Sequence, residues 1–183
     1  MKTITFVTQN KNKVADAQKL LPEFEIHHVD FEVPEIQSMS PEHIAEYKIK
    51  FAYEHAKEPC FVMDTAMFFD CLNSFPGPYI KDYYHTVGPD LICTISHYLK
   101  NPQCHVTTVL AYFDGKKTIF FKETIPGSIP EKPRGNNGYA WDPIFIPQGA
   151  TKTFGEMTFE EKHSYSVTKK LLRQFHDYVI NSN

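Results

Sequence analysis

Excess positive charge, paired cysteines and long hydrophobic runs are all missing from this sequence. Lys and Arg number 19 against 22 acids, a formal charge of −3 with a pI near 6.3, so no basic footprint marks a surface for DNA or RNA polymers. A small anion held by a few local lysines is compatible with that balance. The four cysteines, Cys60, Cys71, Cys93 and Cys104, form no C-x-x-C pair and no zinc spacing. Three sit within or beside apolar runs, which reads as small buried hydrophobes in a reducing compartment rather than a disulfide framework. No apolar stretch reaches bilayer-spanning length and no signal-peptide core opens the chain, so a cytoplasmic protein without a membrane partner is expected. The sequence has no GxGxxG, no Walker A loop, no GxSxG and no HExxH, and its nine histidines form no H-x-x-x-H pair. His27 and His28 face opposite sides of a strand and make a poor metal site. Covalent catalysis has no support.

What is present is an α/β pattern without repeats or long linkers. At 183 residues the chain is sized for one domain, spanning 1–183, or for two closely joined lobes. Thr3 to Val7 reads as a strand, followed by a helix carrying Val14, Ala17, Leu20 and Leu21 on one face and ending before Pro22. Glu25 to Val29 completes a β-α-β opening. Ser40-Pro41 is a helix start, and that helix turns Ile44, Ile49 and Ala52 inward as far as about Lys57. Cys60 to Met63 is a short buried-strand run that delivers Asp64 to its carboxyl end.

Helical patterns cover about 79–86 and 89–99. Strands at 106–113 and 118–124 flank Asp114-Gly115, a strong hairpin signal. Residues 126–138 are expected to be loop, 139–146 a strand, and about 164–180 a last helix. Together these predict a mixed, elongated twisted sheet flanked by helices, in two lobes around a central cleft.

The chemistry-bearing residues fall at the edges of these elements. Thr8-x-Asn10-x-x-Lys13 stands at the carboxyl end of the first strand and opens the first helix. Ligands bind at that edge of open α/β sheets, and a helix N-terminus favours anions; a plain capped helix is the alternative. Glu35, Asp64 and Asp142 are candidates for metal or proton chemistry. Mg²⁺ needs only one or two carboxylates when phosphates supply further oxygens. Lys48, Lys81 and Lys162 could neutralise a triphosphate if they converge. Asn136 to Phe145 holds the only Trp, and extended geometry at Tyr139 and Trp141 would set two rings on one wall. That wall suits a nucleobase face, or else both rings fill a core.

Taken in order, these segments resemble the inosine triphosphate pyrophosphatase family, the dITP/XTP house-cleaning enzymes, over nearly the whole chain. Thr8-x-Asn10-x-x-Lys13 is similar to the family's phosphate-binding motif, and Pro34-Glu35-Ile36-Gln37 to its metal-binding Glu segment. Lys48 falls where the family has a helix lysine that reaches phosphate. Met63-Asp64-Thr65-Ala66-Met67 resembles the strand-end motif whose Asp is general base or metal ligand. Phe75-Pro76-Gly77-Pro78-Tyr79-Ile80-Lys81 matches the family's Pro-Gly-Pro turn. Tyr139-Ala140-Trp141-Asp142-Pro143-Ile144-Phe145 resembles the signature that stacks and frames the base. Phe154 to Met157 and Glu161-Lys162 follow as in the family.

The resemblance implies Mg²⁺-dependent hydrolysis of ITP, dITP or XTP between the α and β phosphates, with Mn²⁺ able to replace Mg²⁺, in a homodimer. It places Glu35 and Asp64 at the metal and Asp64 at the reacting water. It puts Thr8, Asn10, Lys13, Lys48, Thr65, Lys81, Tyr139, Trp141, Asp142 and Lys162 on the substrate. Ala66, Met67 and Ala140 are mild departures. The larger one follows Ser166, where Val167 and Thr168 stand in place of the family's His-Arg that contacts the purine 6-oxo edge. Lys169, Lys170 and His163 are the nearby residues that could replace those donors. Two alternatives follow: the same chemistry on a different or modified base, or a weakly catalytic nucleotide-binding module.

Overall fold

Residues 2–181 are described by the computed structural model. The chain divides into two compact units, each built from discontinuous segments. The first comprises 1–64, 108–123 and 168–183, and the second 65–107 and 124–167.

The first unit opens with strand β1 (Lys2–Val7), helix α1 (Lys11–Leu20) and strand β2 (Phe24–Val29), with β1 and β2 parallel from Lys2↔Phe24 to Val7↔Val29. Helix α2 (Pro41–Ala56) starts where Ser40 Oγ accepts from His43 N at 3.2 Å and Pro41 takes the first turn, and it stops at Lys57 in the left-handed region. Strand β3 (Cys60–Phe69) then pairs parallel with β1.

Alternation along β3 divides its side chains between two cores. Phe61 and Met63 pack with Val14 and Ala17 of α1 and with Leu172, Phe175 and Val179 of the last helix. Cys60 and Val62 pack with Ala45, Ile49 and Ala52 of α2. Both faces of this part of the sheet are covered, which is why its strands read as unbroken apolar runs.

The second unit contains strand β4 (Pro76–Gly77), antiparallel to β3, then helices α3 (Ile80–Val87) and α4 (Pro89–Tyr98). Strands β5 (Gln103–Phe113) and β6 (Thr118–Ser128) contribute to both units. Strand β7 (Ile146–Pro147) pairs antiparallel with the end of β6. Helix α5 (Phe159–Tyr165) closes the second unit, and α6 (Val167–Asn181) returns to the first. The sheet order is β2-β1-β3-β5-β6-β7, with β4 on β3. The expected mixed α/β architecture is thus observed. The second unit's core is Met67, Phe69, Ile80, Ile92, Cys93, Cys104, Val106, Ile129, Ile144, Phe145, Phe154 and Met157.

Four local expectations are corrected. Strand β3 does not end at Met63 but continues through Asp64 to Phe69, because Met67 and Phe68 pair with β4. Strand β6 reaches Ser128, held by β7, so the loop begins later than residue 126. The expected 139–146 strand is a turn followed by a 3₁₀ segment at Asp142–Ile144, with only Ile146–Pro147 extended in the sheet. Ala140 adopts φ 54°, and the Asp142 carboxylate accepts from Tyr139 N at 2.8 Å, which closes the turn. The single helix at 164–180 is two helices. Ser166 is extended between them, and α5 has its own start in the reciprocal Thr158–Glu161 caps.

Candidate active site

The candidate site residues gather in two groups, one within each unit. In the first unit the group forms at the carboxyl end of β1. Asn10 is the N-cap of α1, its Oδ1 accepting from Asn12 N at 3.0 Å and Lys13 N at 3.3 Å. Thr8 Oγ1 accepts from Asn10 N at 3.1 Å. The capped-helix alternative is therefore real, and it leaves the Asn10 amide NH₂ as the part that could meet an anion. Lys13, one turn in, buries its ammonium against Met63 O at 2.7 Å. Burial lowers its pKa, with Asp64 and Glu35 opposing the shift and Lys48 adding to it.

Strand parity then brings Asp64 to α2. Asp64 shares its side of β3 with Cys60 and Val62, the residues that pack on α2. Lys48 lies on that helix, between Ala45 and Ala52 of its buried face. Its ammonium donates to Asp64 Oδ1 at 2.8 Å and to Glu35 Oε1 at 2.7 Å. Burial pulls the Lys48 pKa down, but the charges and hydrogen bonds of Asp64 and Glu35 outweigh it and the net shift is upward. The other Asp64 oxygen, Oδ2, is buried without a hydrogen-bond partner. A buried carboxylate oxygen left unpaired is costly and marks a place for a donor, a water or a cation.

His28 belongs to this arrangement and sequence reasoning missed it. Its Nε2 donates to Thr8 O at 2.8 Å, while Thr8 N donates to Val29 O at 3.1 Å. The end of β2 thus holds both backbone groups of Thr8. The available signal was the parallel pairing of Phe6 with His28, which follows from the β-α-β opening. His27, facing away, bonds Glu58 at 3.0 Å.

In the second unit the group forms around Asp142, whose side chain is 3 % exposed. Lys162 of α5 donates to Asp142 Oδ2 at 2.6 Å. The same ammonium lies 4.5 Å from the centre of the Tyr139 ring and 5.4 Å from that of Phe154. Trp141 lies edge-on to Phe145 at 5.8 Å and tilted on Phe154 at 6.5 Å. The two rings do not share a wall by strand alternation, since the segment is not extended. Trp141 borders the core, and Tyr139 is the ring that covers the lysine. Gly138 (φ 76°) sits so close that a Cβ there would meet Asp142 Oδ2 at 2.0 Å. Thr65 follows Asp64 in β3 and is half-buried, while Lys81 stands exposed on the first turn of α3 and joins neither group.

The sequence model of the Ham1 family matches residues 4–178. The chain belongs to the Ham1 family. It is 37% identical over 178 residues to a dITP/XTP pyrophosphatase of Thermococcus kodakarensis, covering 96% of both chains. It is also 39% identical over 169 residues to an inosine triphosphate pyrophosphatase of Schizosaccharomyces pombe, covering 91% of this chain and 89% of that one. Among solved structures, the Staphylococcus aureus Ham1 protein superimposes with a TM-score of 0.83 over all of both chains at 23% identity, a likeness of fold.

Within this Ham1 chain, Val167 is the first residue of α6 and, like Thr168, is half-buried. The nearby polar residues are largely engaged elsewhere. Lys170 pairs with Glu123 at 2.8 Å, and buried His163 packs on the Phe159 ring at 4.3 Å. Lys169 is exposed.

Proposed function

We propose that this Ham1-family chain hydrolyses non-standard purine nucleoside triphosphates, ITP, dITP and XTP, to the monophosphate and pyrophosphate. The observation that carries this reading is the pairing of Lys48 with Glu35 and Asp64 beside half-buried Lys13, with one Asp64 oxygen unpartnered. Relatives over 30% identical across nearly the whole chain are named for that activity.

Among the described residues no cluster of three or more His, Cys, Asp or Glu side chains could hold a metal by itself. Glu35 and Asp64 fit a divalent ion that takes its remaining oxygens from phosphates and water. Mg²⁺ held there, with Mn²⁺ able to replace it, would neutralise phosphate charge and favour ionisation of a bound water. Asp64 Oδ2 is the acceptor for the proton that water gives up as the α–β anhydride is cleaved. Lys13 and Lys48 bring positive charge to the phosphates without the entropy cost of ordering long side chains, since both are already held. Thr8 and Asn10, with Thr65 next to Asp64 in β3, supply short polar contacts, whereas Lys81 has no part in this group. In the second unit, Tyr139 and Trp141 with Asp142 and Lys162 have by themselves the chemistry of a base-stacking surface with polar partners.

Four cysteines held as free thiols support a reducing, cytoplasmic setting. Among the described residues no helix is long and apolar enough to cross a membrane. The family resemblance supports a homodimer.

Pyrophosphate release from a panel of ITP, dITP, XTP, dATP and dUTP with Mg²⁺ tests the proposal, which requires the non-standard purines to turn over fastest. Val167 and Thr168 favour a second reading, the same chemistry on a different or modified base, because neither offers a cationic donor to a carbonyl. Faster release from dATP or dUTP would select it. Tight binding without release from any triphosphate would instead indicate a nucleotide-binding module.

A further inference from the structure

The two carboxylates assigned to a divalent cation already share a cation of the protein's own. The Lys48 ammonium lies 2.7 Å from Glu35 Oε1 and 2.8 Å from Asp64 Oδ1, bridging residues that come from a loop and a strand. Glu35 is largely exposed, at 69 %, whereas the Lys48 side chain is 13 % exposed. The loop acid has therefore been drawn to a lysine that the helix holds in place. Lys13, with its ammonium on Met63 O, stands in the same electrostatic neighbourhood as Asp64, Glu35 and Lys48.

Two ammoniums and two carboxylates sum to zero. A dication entering alone would have to displace Lys48 and then sit among two lysines with only two carboxylates to balance them. Repulsion between neighbouring like charges is strong where water is partly excluded. That repulsion opposes what the two carboxylates offer. A triphosphate arriving with the ion reverses the balance, since its oxygens complete the ion's shell and receive the displaced ammonium.

We infer that Lys48 is a placeholder cation: it occupies Glu35 and Asp64 in the free chain and exchanges onto phosphate when metal and triphosphate arrive together. The inference rests on the reading that Glu35 and Asp64 meet a divalent ion. It makes metal and nucleotide binding mutually dependent, each raising the other's affinity by the same factor.

Mn²⁺ titration of the intact chain, followed by electron paramagnetic resonance of the free ion and by water-proton relaxation, tests it. Wild type should bind Mn²⁺ at least about tenfold more tightly when an α,β-imido analogue of dITP is present than when it is absent. Lys48→Met should bind Mn²⁺ without nucleotide at least about tenfold more tightly than wild type, and adding Glu35→Gln should remove that gain. Lys48→Arg keeps the charge and should bind Mn²⁺ without nucleotide no more tightly than wild type. If Lys48→Met fails to fold, as judged by circular dichroism, the wild-type comparison decides. Equal Mn²⁺ affinity of wild type with and without analogue overturns the inference, as does a folded Lys48→Met with no gain. Pyrophosphate release on the same wild-type sample separates the two readings. No turnover with the Mn²⁺ pattern intact removes the reaction and leaves the exchange; turnover with nucleotide-independent Mn²⁺ binding removes the exchange alone.

Discussion

The Lys162 ammonium lies 2.6 Å from Asp142 Oδ2 and 4.5 Å from the centre of the Tyr139 ring, so one cation serves a buried carboxylate and an aromatic face. Asp142 is 3 % exposed and Lys162 13 %, so each offsets part of the other's lost hydration, with the Tyr139 N–H also on Asp142 Oδ2. Removing one partner of such a pair strands a buried charge, at a cost of about 3–5 kcal/mol. Lys162→Met should destabilise the chain by that amount in urea unfolding. Adding Asp142→Asn should recover more than half of it, and an unchanged denaturation midpoint in Lys162→Met would show the pair to be energetically idle.

Gly138 offers a way to disturb the same carboxylate without altering a charge. Its φ is 76°, and a methyl group placed on its Cα would stand 2.0 Å from Asp142 Oδ2, which leaves no room for a side chain. Gly138→Ala should destabilise by more than about 1 kcal/mol and raise KM for the triphosphate, with kcat changed less. A variant with wild-type KM and stability would mean that the Asp142 turn tolerates displacement.

Asp64 has one oxygen on Lys48 and one without a partner, the arrangement expected of a group kept for a reacting water. Asp64→Asn keeps the shape and removes the proton acceptor. Pyrophosphate release should fall by about 10²–10⁴-fold while the circular dichroism spectrum stays that of wild type. Full activity in this variant takes Asp64 out of the mechanism.

Alkaline pH should weaken the fold. Burial pushes the Cys60 and Cys93 thiols up to about 12 from an ordinary 9.0, and pushes Cys104 higher still. Burial also raises the Tyr83, Tyr84 and Tyr112 hydroxyls. The folded chain therefore holds protons that the unfolded chain releases. Stability is fully present below about pH 9 and is lost as pH rises toward 12. Melting temperature measured from pH 7 to 11 should fall above pH 9, and replacing Cys60 with Val should flatten the decline. A melting temperature independent of pH across that range would contradict the assignment.

Much of the fold was readable because its signals are short-range. Ser40-Pro41 started a helix, Asp114-Gly115 joined two strands, and the β1-α1-β2 opening followed from a change of hydrophobic period. The misreadings came where a distant partner overrode local preference. Residues 139–146 look like a strand, yet the Asp142 carboxylate on Tyr139 N closes them into a turn. The run ending at Met63 looks complete, yet pairing with β4 carries the strand on to Phe69.

For the site, the sequence alone determined which residue types stand at which element ends, and their order along the chain marked the Ham1 family. Caps, turns and strand parity act over a few residues, so composition and spacing encode them directly. Only the tertiary structure decided who meets whom. Lys48 reaches Glu35 and Asp64 across 13 and 16 residues, Lys162 reaches Asp142 across 20, and Lys13 reaches Met63 O across 50. Those meetings depend on the register of β3 against its neighbours and on the packing of α2, α1 and α5. A charge finds its partner only after burial has chosen the face on which it stands.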